Sequence, residues 1–188
     1  MTHLVDHLER FLGPIQSGWT NGPGGHPMHF QIAKFSPPGL PNVSAFATLG
    51  LGRHPLTAQR SGKTIHLELL LLTEDGAAER WIPSLLQQIG DTAIENRCAL
   101  LRGDVLGPRG PVIPDAEMTA FYVTSPMYFP DDFATCTSDS SPTVIAWLVP
   151  ISSREADLIA RIGWQAFEDI LVSQNPPATN WHRQSLAL

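Results

Sequence analysis

The apolar run from Thr143 to Val149 constrains the fold more than any other stretch of the sequence. It lacks the alternation of apolar and polar residues that is typical of a strand with one face in water. It therefore predicts a central strand that is covered on both faces. A capping box follows at residues 152–155, where the Ser152 hydroxyl can accept from the Glu155 N–H and the Glu155 carboxylate can reach back. A helix is thus expected to begin where this strand ends.

Four further strands and three helices are predicted. The strands are Phe30–Phe35, with room for a bulge before Phe35, Val43–Leu49, Ile65–Leu72 and Thr119–Thr124. The helices are one capped by Thr2 and ended by Gly13-Pro14, one that starts at about Ala77 or at Pro83, and a long one with an apolar stripe from Ala156 to Ile170 that stops at Asn175-Pro176-Pro177. Loops are expected at residues 14–28, 73–76, 103–111 and 125–142.

This order of segments predicts an α+β fold. Strands and helices do not alternate as they would in a repeated βαβ unit, so the expected architecture is a mixed or antiparallel sheet with helices packed on it. The chain has 188 residues, which suits one domain over residues 1–188. A chain of this size buries roughly 70% of the surface that its unfolded form exposes, so no disulfide or metal is needed to hold it together.

The charge balance narrows the class of partner. The formal net charge is −6, which repels phosphate backbones and disfavours nucleic acid. An acidic protein suits a basic protein partner, although the same charge also serves plain solubility. Cys98 and Cys136 form no CxxC pair, and residues 1–7 carry no secretory signal. Apolar runs such as Leu69–Leu72 are too short to span a bilayer, so a cytoplasmic protein with reduced thiols is expected.

The residues that could carry chemistry form no complete motif. Ser61-Gly62-Lys63-Thr64 lacks the first glycine of a phosphate-binding loop and precedes a strand. The pairs His3/His7 and His26/His29 could approach a metal, but a solvated helix face and a loop are the simpler interpretations. Asp131-Asp132 fits a turn better than a shared-proton pair, and Cys136 has no base nearby in sequence. We therefore expect no catalytic residue, no metal and no cofactor.

The aromatic residues point instead to protein binding. Trp147 and Trp164 lie in apolar segments and are expected in the core, whereas Trp19 and Trp181 show no burial pattern. Exposed tryptophan is enriched at binding hot spots, although each of these rings could also pack on its own loop. The candidate partner-binding residues are Trp19, Tyr128, Phe129, Asp131 and Asp132, because exposed aromatic and acidic loops suit a basic partner.

Several stretches resemble the Suppressor of fused-like domain family. They are Thr48-Leu49-Gly50 followed by Pro55-Leu56, Glu68–Leu72, Gly103–Leu106, Tyr122–Pro126, Trp147–Ser152 leading into Glu155, Ala160 and Gly163, and Arg183–Leu186. The resemblance implies an α+β domain without catalysis. The eukaryotic namesake is a regulator that sequesters a transcription factor, whereas stand-alone bacterial members are proposed immunity proteins that neutralise toxins.

The chain is about one such domain long, so the resemblance favours the bacterial, stand-alone type. The expected function is direct binding and neutralisation of a toxin, as in a toxin–antitoxin pair. The alternatives are a regulatory scaffold for an endogenous partner and a small hydrolase that uses a metal at His26 and His29 or the Cys136 thiol. Binding by β-augmentation along a sheet edge would suit both toxin neutralisation and the regulatory scaffold. The sequence does not predict the oligomeric state.

Overall fold

A computed structural model describes residues 2–22, 25–74, 76–137 and 141–187. Its centre is one sheet of nine strands, in the described part of the chain. The strands are β1 (Ser17–Asn21), β2 (Pro27–Phe35), β3 (Ser44–Leu49), β4 (Leu56–Thr57), β5 (Thr64–Thr73), β6 (Val105–Leu106), β7 (Met118–Thr124), β8 (Thr135–Cys136) and β9 (Thr143–Ser152). The main order is β1-β2-β3-β5-β9-β7-β6, with β4 paired to β5 and β8 paired to β9.

The sheet is mixed, because β5 and β9 run parallel while the other strand pairs run antiparallel. β9 lies between β5 and β7, and its side chains from Ile145 to Ser152 are buried. The prediction of a central strand at this point is confirmed. β5 is half-covered at its start and buried from Leu67 onward, as its sequence pattern predicts. The α+β class is confirmed as well.

Four helices in the part of the chain that the structure describes cover the two faces of the sheet. They are α1 (Thr2–Leu12), α2 (Ile82–Asn96), α3 (Ser153–Ile162) and α4 (Trp164–Gln174), with short 3₁₀ helices at Leu51–Arg53 and Asp131–Ala134. α1, α3 and α4 pack on one face, here called the α3 face, and α2 packs on the other, here called the α2 face. No helix among the described residues is both long enough and apolar enough to cross a membrane.

Helix α2 lies close to the sheet because of one glycine. Gly90 sits over the ring of Phe30, and a Cβ at this position would stand 2.3 Å from the ring Cζ. The helix begins at Ile82 with Pro83 in its first turn, where a missing N–H does no harm. Of the two predicted helix starts, Ala77 and Pro83, the second is therefore nearer to the observed one. Ile82, Leu86 and Ala93 complete the buried side of this helix.

Several predictions of secondary structure are wrong, among them the loops at 103–111 and 125–142, which contain the two-residue strands β6 and β8. Residues 14–28 are not all loop, because Ser17–Asn21 pairs with β2 as an exposed edge strand that has no apolar alternation to reveal it. The stripe from Ala156 to Ile170 is not one helix, because Gly163, at a φ of 83°, separates α3 from α4. Strands of two residues, such as β6, are too short to leave a sequence pattern.

Among the smaller predictions, some are confirmed and one is wrong. The capping box at Ser152 is present, and Asn175 ends α4 in the left-handed conformation. The pairing of β2 with β3 is regular up to Phe35, so the bulge expected there is absent; the irregularity lies between Trp19 and Asn21 in the β1–β2 pair. The proposed Thr2 side-chain cap, Pro23 and Gly24 in the first loop, Asp75 in its turn and residues 138–140 in the last loop lie outside the described residues.

Candidate functional site

A buried carboxylate, Glu68, holds the turn that follows β3. It accepts the Thr48 hydroxyl at 2.6 Å and the backbone N–H groups of Gly50, Leu51 and Gly52 at 2.9, 3.2 and 3.0 Å. No cation faces it among the described hydrogen bonds and ion pairs. Burial raises the pKa of Glu68 to about 7, although the bonds from Thr48 and the three N–H groups act in the opposite direction. We call this arrangement the loop anchor.

A second buried carboxylate, Glu155, fastens the C-terminal tail. The Arg183 guanidinium donates to its two oxygens at 2.7 and 3.1 Å, and the Leu186 N–H donates at 3.0 Å. Arg183 also donates to the Pro150 carbonyl at 3.1 Å. Both side chains of the ion pair are almost fully buried, at 2% and 0% exposure. This tail clasp places residues 183–186 against the start of α3.

The same tail explains Trp181, for which the sequence shows no burial pattern. Its indole N–H donates to the Leu72 carbonyl at 2.9 Å, and its ring meets Phe121 edge-on. Trp181 is fully buried, so it is not a partner-binding residue. Trp147 is buried as expected, whereas Trp164 is half-buried under the Arg102 guanidinium.

A third carboxylate, Glu168 of α4, joins the helix to β7 and is called the helix anchor. It accepts from the hydroxyls of Tyr122 and Thr124 at 2.8 and 2.9 Å and forms a two-pronged ion pair with Arg102. Burial acts to raise the pKa of Glu168, but the bonds from Arg102, Tyr122 and Thr124 outweigh it and hold this pKa below its usual value. Burial raises the pKa of Tyr122, and the bond to the Glu168 carboxylate adds to this effect.

The stretches that resemble the Suppressor of fused-like family therefore supply the buried polar skeleton of the fold. Thr48, Gly50 and Glu68 form the loop anchor, while Tyr122 and Thr124 belong to the helix anchor. The stretches that contain Pro150, Ser152 and Glu155 and the stretch Arg183–Leu186 form the tail clasp. These residues hold loops, a helix and the tail in place, and they do not converge on one surface.

The candidate metal and nucleophile residues are spread over the molecule. His7 bonds to the Phe133 carbonyl at 3.0 Å and stacks on the Phe133 ring, and His29 bonds to Asp91 at 3.0 Å. Cys136 is buried, and burial raises the pKa of its thiol, which is the reverse of what activates a nucleophile. No group of three His, Cys, Asp or Glu side chains suited to a metal ion occurs in the described part of the chain.

The candidate partner-binding residues fall on two faces of the sheet. Trp19 lies in β1, half-buried, and packs on the α2 face with its ring 5.9 Å from that of Phe46. Tyr128 and Phe129 pack on the α3 face. The Tyr128 hydroxyl is engaged with the tail, since it donates to the Pro176 carbonyl at 3.4 Å and accepts the Ala178 N–H at 3.3 Å.

One cluster of candidates does form a surface. Asp131 and Asp132 are exposed at the start of a 3₁₀ helix, beside the half-buried ring of Phe129. Arg10 of α1 reaches Asp132 at 3.3 Å, an exposed pair that contributes little to stability. We call Phe129, Asp131 and Asp132 the acidic corner. It combines an aromatic side with unburied carboxylates, as the sequence suggests.

One concavity is a groove that the sequence gives no means of finding. Two cavities, of about 460 and 300 Å³, share Leu85 and Gln88 on one side and Pro111 and Val112 on the other. Together they form the α2 groove, between α2 and residues 105–114. Its walls come from segments far apart in the chain, and β6, which helps to form one wall, is only two residues long. Folding alone brings these segments together.

Comparisons with known proteins agree with this architecture. A family model described as Suppressor of fused protein (SUFU) matches residues 26–184. The chain is similar to the crystal structure of a Suppressor of fused homologue from Neisseria gonorrhoeae, with a TM-score of 0.78 and 13% identity over 100% of this chain and 96% of that one. A comparison with curated proteins finds no match.

Two further solved structures are similar. A structure described as the Sufu–Fu complex gives a TM-score of 0.74 and 15% identity over 98% of this chain and 91% of that one. The crystal structure of Drosophila Suppressor of fused gives 0.72 and 15% over 97% of this chain but only 50% of that one. At these identities the structural matches establish a common fold, while the family model covers most of the sequence.

Proposed function

The chain belongs to the Suppressor of fused family, and from this premise we propose that it is a non-catalytic domain that acts by binding another protein. The family match over residues 26–184 is the observation that carries this proposal. It is supported by a similar structure that is described as a complex of Sufu with Fu. The raised pKa of the buried Cys136 thiol weighs against the rival cysteine hydrolase.

The proposed partner is a toxin, which the protein neutralises in the cytoplasm as an immunity protein. The net charge of −6 supports a basic partner, because opposite charge speeds encounter and favours the correct orientation. The match to 96% of the gonococcal homologue, against half of the Drosophila protein, supports a role in which residues 1–188 act as one binding domain.

The proposed contact surface is the acidic corner. Phe129 offers a half-buried ring, and Asp131 and Asp132 offer carboxylates that no buried cation neutralises. A ring surrounded by charge is the usual composition of an interface centre and its rim. Tyr128 supports this surface from below, since its hydroxyl is bound to the tail. Trp19, on the opposite face, is proposed as a separate contact.

The experiment that tests this function is affinity capture with a charge-swapped variant. Wild-type protein and Asp131→Lys/Asp132→Lys are immobilised and exposed to lysate together with the product of the neighbouring gene, and retained proteins are identified by mass spectrometry. We expect the wild type to retain a basic toxin domain in a salt-sensitive manner and to block its activity. The charge-swapped variant is expected to lose most of that retention.

The matched control is Glu95→Lys/Asp157→Lys, which changes the net charge equally at exposed sites on α2 and α3. Equal loss in both variants would mean that only net charge matters and would remove the acidic corner from the proposal. Capture of an endogenous partner alone would replace the toxin by a regulatory role. Retention of no protein by folded bait would overturn the binding function itself.

A further inference from the structure

The α2 groove is already formed in the isolated chain. One wall is fixed because Gly90 seats α2 against Phe30. The other wall is fixed because the N–H groups of Arg109 and Val112 donate to the carbonyls of Thr119 and Met118, at 3.2 and 2.9 Å, along the start of β7. Sites for ligands are usually formed before the ligand arrives, so this groove is suited to be one.

The floor of the groove is apolar and only half-covered. Leu85, Ile89, Leu100, Leu106 and Val112 are partly buried side chains that pack on the α2-face core and leave their other side open to the groove. At one end Trp81 is 39% exposed, with the Arg80 guanidinium over its ring. Exposed tryptophan and apolar floor together resemble the centre of a binding hot spot.

One charged side chain at the polar rim of the groove is available to a ligand. The Thr92 hydroxyl donates to the Gln88 carbonyl at 2.7 Å and the Asn96 amide donates to the Thr92 carbonyl at 2.9 Å, so both bond within α2 itself. Arg109 is exposed on the opposite wall and is the one charged side chain among the described residues that line the two cavities. In a protein of net charge −6, Arg109 therefore gives this wall of the groove a positive charge.

We propose that the α2 groove binds an amphipathic helical segment of another protein, whose apolar stripe is flanked by carboxylates. The groove follows α2 from Leu85 to Asn96, which is about 16 Å and matches about three turns of a bound helix. The apolar stripe of such a helix covers the floor, its polar side faces water, and a carboxylate pairs with Arg109. This surface and its charge preference are distinct from those of the acidic corner.

The test uses three probes and the two cysteines of the protein. Cys98 is half-buried and lines the groove, whereas Cys136 is buried and serves as the internal control. The first probe is a helical peptide of about 14 residues with leucines at i, i+3, i+4 and i+7, flanked by glutamates. The second replaces the glutamates by lysines, and the third is dodecanoate. Alkylation at each cysteine is followed by mass spectrometry, and peptide binding by fluorescence anisotropy.

We expect the glutamate peptide to slow Cys98 alkylation by about tenfold while the lysine peptide has little effect, because charge reversal at one close pair changes affinity by about this factor. Arg109→Glu is expected to reverse the preference, and Ile89→Asp to abolish protection by both peptides. Arg161→Glu, an exposed cation on α3, is the control and should behave as wild type. Circular dichroism checks that each variant is folded; Arg109 is exposed on a loop, so its variant is expected to fold.

Equal protection by the two peptides, or protection that Arg109→Glu leaves unchanged, would overturn the proposal. Protection by dodecanoate alone would also overturn it and assign the groove to an acyl chain. These outcomes are separate from those of the capture experiment, because the peptide can protect Cys98 whether or not a toxin is retained at the acidic corner.

Discussion

The loop anchor and the helix anchor use the same residue type in opposite ways. Glu68 and Glu168 are both buried carboxylates that accept a threonine hydroxyl from a neighbouring strand. Glu168 also meets the Arg102 guanidinium, and its pKa is lowered, whereas Glu68 meets backbone N–H groups and has a pKa raised to about 7 by burial. Burial favours the neutral carboxyl group at both sites, and the charged form prevails at Glu168 because the bonds from Arg102, Tyr122 and Thr124 outweigh that effect.

The two anchors therefore contribute to stability in opposite pH ranges. A raised pKa means that the folded state holds its proton more tightly, so the contribution of Glu68 is complete below about pH 4.5 and is lost as the pH rises through about 7. A lowered pKa has the reverse effect, so the contribution of Glu168 is present above its usual pKa of 4.5 and is lost as the pH falls.

The largest expected effect comes from removing Arg183, the cation of the tail clasp. Arg183→Met leaves Glu155 buried with only N–H donors, which places it in the situation of Glu68. We expect the free energy of unfolding to fall by about 3–5 kcal/mol, because a buried charge that loses its partner is strongly destabilising. Urea denaturation followed by intrinsic tryptophan fluorescence, to which the buried Trp181 of the tail contributes, measures the change.

The double variant Glu155→Gln/Arg183→Met is the control for that measurement. It removes the charge together with its partner, so it should be less destabilised than Arg183→Met alone. A double variant that is as unstable as the sum of the two single variants would show that the ion pair and its charges are not what fastens the tail.

The next effect is expected at the loop anchor. In Glu68→Gln the amide nitrogen replaces an oxygen that accepts from a backbone N–H, whichever way the amide is turned. The backbone donors cannot move away, so we expect a loss of about 2–3 kcal/mol at pH 5. The loss should become smaller toward pH 8. Between pH 5 and pH 8 the unfolding free energy of the wild type falls by as much as about 3 kcal/mol as Glu68 ionises, whereas the neutral amide of the variant does not titrate.

Denaturation of wild type and Glu68→Gln at several pH values between 4.5 and 8 measures this difference. The informative quantity is the gap in unfolding free energy between the two proteins. A gap that stays constant across the range, or widens toward pH 8, would contradict the raised pKa of Glu68.

These anchors also show how far the sequence predicts the structure. The central strand and the capping box follow from local patterns, because apolar runs and caps act over a few residues. A single glutamate before Leu69–Leu72 is also a visible signal, since an acid inside a buried strand needs donors. Its donors, however, lie in another turn, and the burial of Trp181 depends on a carbonyl 109 residues away. Such contacts follow from the fold alone.

The candidate surfaces also differ in whether the sequence predicts them. The acidic corner could be anticipated because Phe129, Asp131 and Asp132 are adjacent in sequence. The sequence does not show that Trp19 lies apart from these residues, because its position toward the α2 face follows from the pairing of the edge strand β1. The α2 groove joins segments around Leu85, Val105 and Thr119, and no periodicity relates them.

The smallest effect is expected at the helix anchor, where the partner can move. Glu168→Gln can keep its remaining oxygen, the equivalent of Oε1, as acceptor for the hydroxyls of Tyr122 and Thr124. The amide nitrogen then faces Arg102, whose side chain is 55% exposed and can turn into water. We expect a loss of only about 1 kcal/mol at pH 7, and none at a pH low enough to protonate Glu168 in the wild type. Parallel urea titrations of wild type and variant at pH 7 and at a series of lower pH values measure both losses. A loss at pH 7 as large as that of Glu68→Gln at pH 5 would mean that a mobile cation is no easier to replace than fixed backbone donors, and the contrast between the two anchors would fail.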